Sequence, residues 1–449
     1  MHESMNNFRE RFSHWGQDNL LGKVLRNSAH LFSSNTISLA LSVLQSVLAA
    51  RLLGPAGFGL VGIVMGYAST VNGLFSFRMS ELVVRYGGEY LEKREHDKAA
   101  ALMKGAMLSE GLVSLLAFFF VVLSAGLASQ YIAKTPNSAW MFIAYSLGLL
   151  ANFNTESSTG VLQVTDKIKL QGTINLIQSI VTALIIAAAF FLQGSLFLVL
   201  LAYLLGKAIL GLGLFIAAQI QLRRVLGHAW SRVSVSSLPS FGELFKFAFS
   251  SNLSATLILI FRESEILWVG YFLTSEAAGY YKAAYAIANL LSVPANPLIL
   301  STYPEINKLI VQKAWPRLRD FLRKITTLAF AYNFAIGLGF LIFGRWLLLI
   351  YGEQYAPAYP ALLALLVGLI FNYTLFWNRP LLLSLGLPEF PLKATFAAGV
   401  AKMALAFPLV PRFGYVAEAA LLSFYYIASV SAMVWRGLKE IRHEDRGHH

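Results

Sequence analysis

Leu52-Leu53-Gly54-Pro55-Ala56-Gly57-Phe58-Gly59 stands between two long apolar runs, and Phe272-Leu273-Thr274-Ser275-Glu276-Ala277-Ala278-Gly279 stands between two more. The segments lie 220 residues apart, with Leu53 over Leu273 and Gly59 over Gly279. The same offset sets Lys104 over Lys324, each opening the third apolar run of its half. Gly-Pro interrupts a helix and favours a turn, so the first segment reads as the tip of a helical hairpin and the second as its copy. Matched loop lengths and a recurring basic segment extend the repeat. Two six-helix halves in the same orientation form a parallel-repeat transporter plan, with a substrate site between the halves.

Outward from these tips, apolar runs continue along the whole chain, each long enough to cross about 30 Å of hydrocarbon. The first half carries helices at 31–53, 59–83, 99–127, 139–165, 168–191 and 195–219. The second carries them at 247–272, 278–303, 320–344, 356–386, 389–411 and 413–436. Residues 1–30 precede them as a basic amphipathic segment on the cytoplasmic membrane face. A basic linker, 220–246, joins the halves, and 437–449 form a tail. The expected fold is an all-α polytopic membrane protein of about twelve transmembrane helices around a central cavity.

Composition agrees. Of 449 residues, 57% are hydrophobic and only 13% charged, about half the charged share of a soluble domain. The mean hydropathy is +0.60. The formal charge of +13 is therefore read as cytoplasmic loop charge, not as a nucleic-acid footprint. Most of the 36 lysines and arginines fall in the N-terminus, 78–104, 167–169, 220–246, 308–324, Lys393 and the C-terminus. That bias places both termini in the cytoplasm, which requires an even number of crossings. With no cysteine, there is no disulfide, thiolate metal site or cysteine nucleophile. No histidine pair has metal-ligand spacing within a helix and no glycine-rich phosphate loop precedes one. The chain is expected to be no enzyme and to use no cofactor beyond coupling to H⁺ or Na⁺.

Charges inside a bilayer helix cost roughly 2.5–3.5 kcal/mol each on insertion scales, so they mark sites. Arg262 stands beside Glu263 and close to Glu265. Its guanidinium suits bidentate contact with a phosphate; locking its helix to a neighbour is the plainer role. Arg51 closes the first helix, and snorkelling to the interface is its plainer role. Arg78 lies three residues before Glu81, its natural partner. Arg379 follows Trp377-Asn378 and precedes Pro380, a kink residue. Lys207 and Lys402 fall near the middles of their helices, each a cavity cation or the partner of a carboxylate.

Three polar stripes accompany these charges: Asn35, Ser38, Ser42 and Gln45; Asn252, Thr256 and Glu263; and Tyr281, Tyr285, Asn289, Ser292 and Asn296. Each keeps helical spacing. Hydrogen bonding between helices explains such stripes singly; three in corresponding halves suit a wet cavity holding sugar hydroxyls. Pro294 and Pro297 supply hinges. The intramembrane carboxylates are Glu110, Glu156, Glu263, Glu265 and Glu418. Glu265, Glu263 and Glu156, the last beside Asn152 and Asn154, are the candidates for ion coupling.

The chain resembles the polysaccharide transporter family, the oligosaccharide or O-antigen flippases of the multidrug/oligosaccharidyl-lipid/polysaccharide exporter superfamily. The resemblance spans about 31–436. It is carried by Ala50-Arg51-Leu52-Leu53-Gly54-Pro55-Ala56-Gly57-Phe58-Gly59, by Glu265 with Val269-Gly270-Tyr271-Phe272-Leu273 and Ala278-Gly279-Tyr280-Tyr281, and by Tyr303-Pro304-Glu305. Two departures stand out. An aspartate is common where Glu265 stands, and a small residue is usual where Glu418 stands.

The resemblance implies flipping of an undecaprenyl-diphosphate-linked oligosaccharide across a bacterial inner membrane by alternating access. It also implies a monomer touching membrane lipids and polysaccharide polymerase machinery. A multidrug exporter of the same superfamily is the first alternative, but it would suit a less basic cavity. Lipid II flippases usually carry two further helices. Membrane-embedded sugar polymerases and ligases usually need a large external loop, and no such segment is seen here.

Overall fold

A computed structural model describes residues 19–76, 79–235, 256 and 259–446, with side chains from residue 37 except at 294, 296, 297, 300 and 446. Among the described residues there is no β-strand. A chain in hydrocarbon must satisfy its own backbone, and helices do so within one segment. Eight of the helical stretches are long and apolar enough to cross a membrane. Several hold two of the expected crossings or one crossing in two pieces, which accommodates about twelve helices.

Helix α1 (Asn19–Phe75) contains the first expected helix and the second as far as Phe75, joined where Gly54 leaves helical geometry at φ 67, ψ 176. A β-carbon disfavours that conformation, and Pro55 cannot donate a helical N–H, so the hairpin turns there. Next come α2 (His96–Leu127), α3 (Ala139–Ala151), α4 (Thr155–Val164), α5 (Ile168–Phe191) and α6 (Leu196–Leu226). A π-helical turn at Leu259–Glu263 precedes α7 (Glu265–Phe272) and α8 (Ser275–Ala288). Helices α9 (Ser292–Val311), α10 (Trp315–Tyr351), α11 (Tyr359–Thr374), α12 (Asn378–Ser384), α13 (Glu389–Phe413) and α14 (Tyr415–Arg446) follow.

Contacts divide the chain into two compact units. One comprises 37–282; the other comprises 283–449 with 1–36. Within the first unit, α2 buries Ala99, Ala106, Ala117, Val121 and Ala125 and turns Leu112, Phe119 and Leu123 outward. Small residues inside and large ones outside reverse the soluble pattern. Lipid is as apolar as leucine, so close backbone packing drives association instead. In the second unit, the end of α9, the start of α10 and the last turns of α14 enclose Leu309, Trp315, Leu318, Phe321 and Ile441. An Arg319–Asp445 ion pair at 2.5 Å ties α10 to the end of α14.

Three of the expected boundaries change for a local reason. The helix at 139–165 is broken between Ala151 and Thr155. There the Asn152 amide donates to the carbonyls of Gly148 and Lys207, an alternative to the helical ladder. The helix at 356–386 is broken between Thr374 and Asn378. Pro380 cannot donate to the Phe376 carbonyl and its ring crowds that group, so the chain opens ahead of the proline. The helix expected from 320 begins at Trp315, with Pro316 in the first turn where no N–H is required.

Candidate functional site

The two breaks fall in the fourth helix of each sequence half. Interrupted helices at corresponding positions of a repeat are the best backbone pointer to a transporter site. Each unit therefore carries candidate positions of its own.

In the first unit, α4 starts inside the bundle, so its leading N–H groups need acceptors. Glu110 of α2 supplies them. Its carboxyl oxygens accept from the N–H of Glu156 and of Ser157, both at 2.8 Å, while the side chain is buried. The positive end of α4 also favours a carboxylate there. Glu156 turns the other way and accepts from the Ser80 hydroxyl at 2.5 Å. On α6, Lys207 sets its ammonium 5.1 Å from the Tyr145 ring centroid, a cation–π contact.

The Glu110 cap makes a stability prediction. Glu110→Ala leaves two N–H groups unsatisfied within the bundle and is expected to cost about 2–4 kcal/mol. Glu110→Gln retains one acceptor oxygen and should cost less. Thermal unfolding in detergent reads the order; equal stability of all three proteins would contradict the cap.

The π turn Leu259–Glu263 presents Arg262, half-buried, and Glu263, exposed. Such turns insert one residue into a helix and are frequent at functional sites. Just beyond, Glu265 is buried and accepts from the Tyr281 hydroxyl at 3.0 Å. This contact unites the proposed ion-coupling carboxylate of α7 with the first tyrosine of the α8 stripe.

In the second unit, the break before α12 is held by Trp377, whose indole N–H donates to the Thr326 hydroxyl at 2.7 Å. Asn378 is buried beside it, and Arg379 is exposed on the same turn. Farther along, Lys402 of α13 pairs with Glu418 of α14 at 3.2 Å, and both are fully buried. Of its two expected roles, Lys402 takes that of a carboxylate's partner. Glu418 is accounted for by the same pair.

The remaining predicted residues separate. Gln45 is buried and donates to the Ser179 carbonyl at 2.9 Å, a contact between α1 and α5. Arg51 is exposed at the hairpin tip; Tyr285 and Asn289 are half-buried. Arg78 and Asn252 lie outside the described residues, and Asn35 is described in its backbone alone. Sequence reasoning named Glu110 as an intramembrane carboxylate without finding its partner. A turn-breaking pair, Asn152 and Asn154, stood as the available signal. Lys282, early in the helix that follows the second hairpin tip, was not among the site residues named from sequence.

Comparison with known proteins joins these observations. The family described as polysaccharide biosynthesis protein matches residues 24–310. An inner membrane protein of Escherichia coli K12, YghQ, is 26% identical over 358 residues, covering 77% of this chain and 97% of the relative. Among solved structures, an inward-facing multidrug resistance MATE family transporter of the MOP superfamily superposes with a TM-score of 0.75. It is 14% identical, covering 91% of this chain and 96% of that one. A MOP superfamily transporter from Pyrococcus furiosus, whose binding pocket is described as of reverse polarity, gives 0.64 at 13% identity over 94% and 95%. These likenesses show the MATE fold for a multi-pass membrane protein.

Proposed function

We propose, from the premise that this chain belongs to the polysaccharide biosynthesis protein family and has the fold of the MOP superfamily transporters, that it flips a polyprenyl-diphosphate-linked oligosaccharide across a bacterial inner membrane. One observation carries the choice of substrate. Cations stand at the irregular backbone, among them Lys207 beside the first break, Arg262 in the π turn and Arg379 beside the second break. A diphosphate needs such groups, whereas a cationic drug is repelled by them.

Arg262 makes the principal bidentate contact with the diphosphate. Arg51 and Lys207 add charge within the same unit, and Arg379 offers a cation in the other. Tyr285 and Asn289 meet sugar hydroxyls. The polyprenyl chain stays in lipid while alternating access carries the head group across. Glu265, held by Tyr281, and Glu156, held by Ser80, are the carboxyls through which H⁺ or Na⁺ couples to movement. Gln45 and Lys402, occupied by Ser179 and Glu418, serve packing in this reading. Both termini face the cytoplasm, consistent with the lysine and arginine bias. The protein works as a monomer beside the polymerase that receives its substrate.

Export of a multidrug type is the second reading, favoured by the MATE transporter among the solved neighbours. Native mass spectrometry of gently purified protein separates the two. A bound lipid with the mass of a polyprenyl diphosphate plus sugars is expected. Phospholipid alone, together with binding of an added cationic drug, would favour the exporter.

A further inference from the structure

The repeat found in the sequence is met again as a physical contact inside the unit 37–282. A β-carbon placed on Gly59 would strike the carbonyl oxygen of Ser275, and one placed on Gly279 would strike that of Pro55. Residues 59 and 279, and 55 and 275, are the same two positions of the two repeats. The contact is therefore reciprocal, as across a two-fold axis, where patch meets matching patch. It is also as close as two helical hairpins can come, since only glycine lets the backbones touch.

The neighbouring mates, Gly62 and Lys282, break the symmetry. The Lys282 chain lies in the space a side chain at 62 would fill, with its Cδ 2.7 Å and its ammonium 3.3 Å from the position of a β-carbon there. The ammonium rests 4.1 Å from the centroid of the Phe58 ring. Among the described residues, no carboxylate lies within ion-pair distance of it. The seam is fastened at its rim. Ser275 donates to the Ala133 carbonyl at 2.7 Å, and the hydroxyls of Ser275 and Thr135 lie 3.5 Å apart.

A methionine or leucine at 282 would fill the same slot without desolvating a charge, and a cation–π contact of about 0.5–2 kcal/mol only partly offsets that desolvation. In the closed seam the charge therefore has no advantage. We propose that Lys282 is a further substrate-binding residue, a phosphate contact that the Gly59–Gly279 seam covers when the hairpins meet and exposes when they part. Half-buried against Phe58, its ammonium is held at the ring and away from substrate. Freed, it presents an ammonium to the diphosphate at the mouth distant from the basic segments. This rests on the anionic substrate proposed above, but the movement of the seam can be read without any substrate.

The chain has no cysteine, so introduced thiols report alone. Thr135→Cys with Ser275→Cys ties the tip of the second hairpin to the 133–135 turn, where the two native hydroxyls lie 3.5 Å apart. In proteoliposomes, the oxidised double variant is expected to lose at least tenfold in flipping rate and to regain it on reduction. A separate Lys282→Cys protein should react with a membrane-impermeant thiol reagent. In a triple variant that adds Lys282→Cys to the other two, the 135–275 bond is closed first and the thiol at position 282 is then probed. Closing the bond should abolish the labelling.

Lys282→Met should lower flipping about tenfold, while Lys282→Arg retains most of it. Full flipping by the oxidised protein, or labelling at position 282 that ignores the cross-link, overturns the gate. Wild-type flipping by Lys282→Met overturns the phosphate contact. Gated labelling in a protein that moves no polyprenyl-diphosphate sugar would leave the gate standing and overturn the substrate reading.

Discussion

Replacing Lys402 or Glu418 singly by a neutral residue of similar size is expected to lower stability by about 3–5 kcal/mol. Replacing both should restore it to near the starting value or beyond. The pair links α13 to α14 at 3.2 Å with both side chains fully buried. Bringing two ions out of water costs several kcal/mol each, and their attraction does little more than offset that cost. Removing one partner leaves the other charge uncompensated within the bundle. Removing both leaves apolar volume between two helices that already pack along their length. Lys402→Met, Glu418→Gln and the double variant Lys402→Met with Glu418→Leu should therefore unfold in the order single, single, double on heating in detergent. Additive losses in the double variant would show that the two residues act separately.

Arg262→Ala is expected to lower flipping of a polyprenyl-diphosphate sugar about 100-fold at equal expression. Two charge-assisted hydrogen bonds to one phosphate are worth about 3 kcal/mol, and each 1.4 kcal/mol is tenfold. Arg262→Lys keeps the charge but loses the planar fork, so an intermediate loss of about tenfold is expected. The two variants separate recognition from folding, because a purely structural arginine would affect thermal stability as much as transport. Unimpaired flipping by Arg262→Ala removes the diphosphate role from this residue.

Much of the architecture was legible because membrane folding leaves few choices. An apolar run of sufficient length must be a helix, and Gly54-Pro55 marked the first hairpin by its backbone chemistry alone. The repeat was readable for a further reason. Gly59 and Gly279 are bound by one geometric demand, and that demand holds glycine at matching positions. The helix breaks were not legible in the same way. Asn152 and Pro380 were visible in the sequence, but a break needs an outside acceptor or donor. Glu110 lies 46 residues from the first N–H group it caps, and Thr326 lies 51 residues from Trp377.

The candidate site was legible in its residue types and less so in its partners. Charge inside an apolar run identified Arg262, Glu265, Lys207 and Lys402 individually. Only packing tells a paired charge from one with other work. Lys402 and Glu418 stand on opposite arms of a helical hairpin, so their meeting depends on how α13 and α14 cross. Gln45 belongs to a polar stripe that suggested a wet face, yet its amide reaches a carbonyl of α5. Tyr281 belongs to another and meets Glu265. Helical spacing defines a face; it does not say what that face touches.

Reconstitution in vesicles separates flipping of a lipid-linked sugar from drug export. The purified protein would be placed in vesicles carrying a fluorescent polyprenyl-diphosphate oligosaccharide in both leaflets, and reagent access to the sugar would be followed in time. Flipping is expected to depend on the protein, to fail with a polyprenyl-linked sugar lacking the diphosphate, and to be unaffected by cationic drugs. Vesicles that leave the lipid-linked sugar in place while the same protein moves a cationic dye would contradict it.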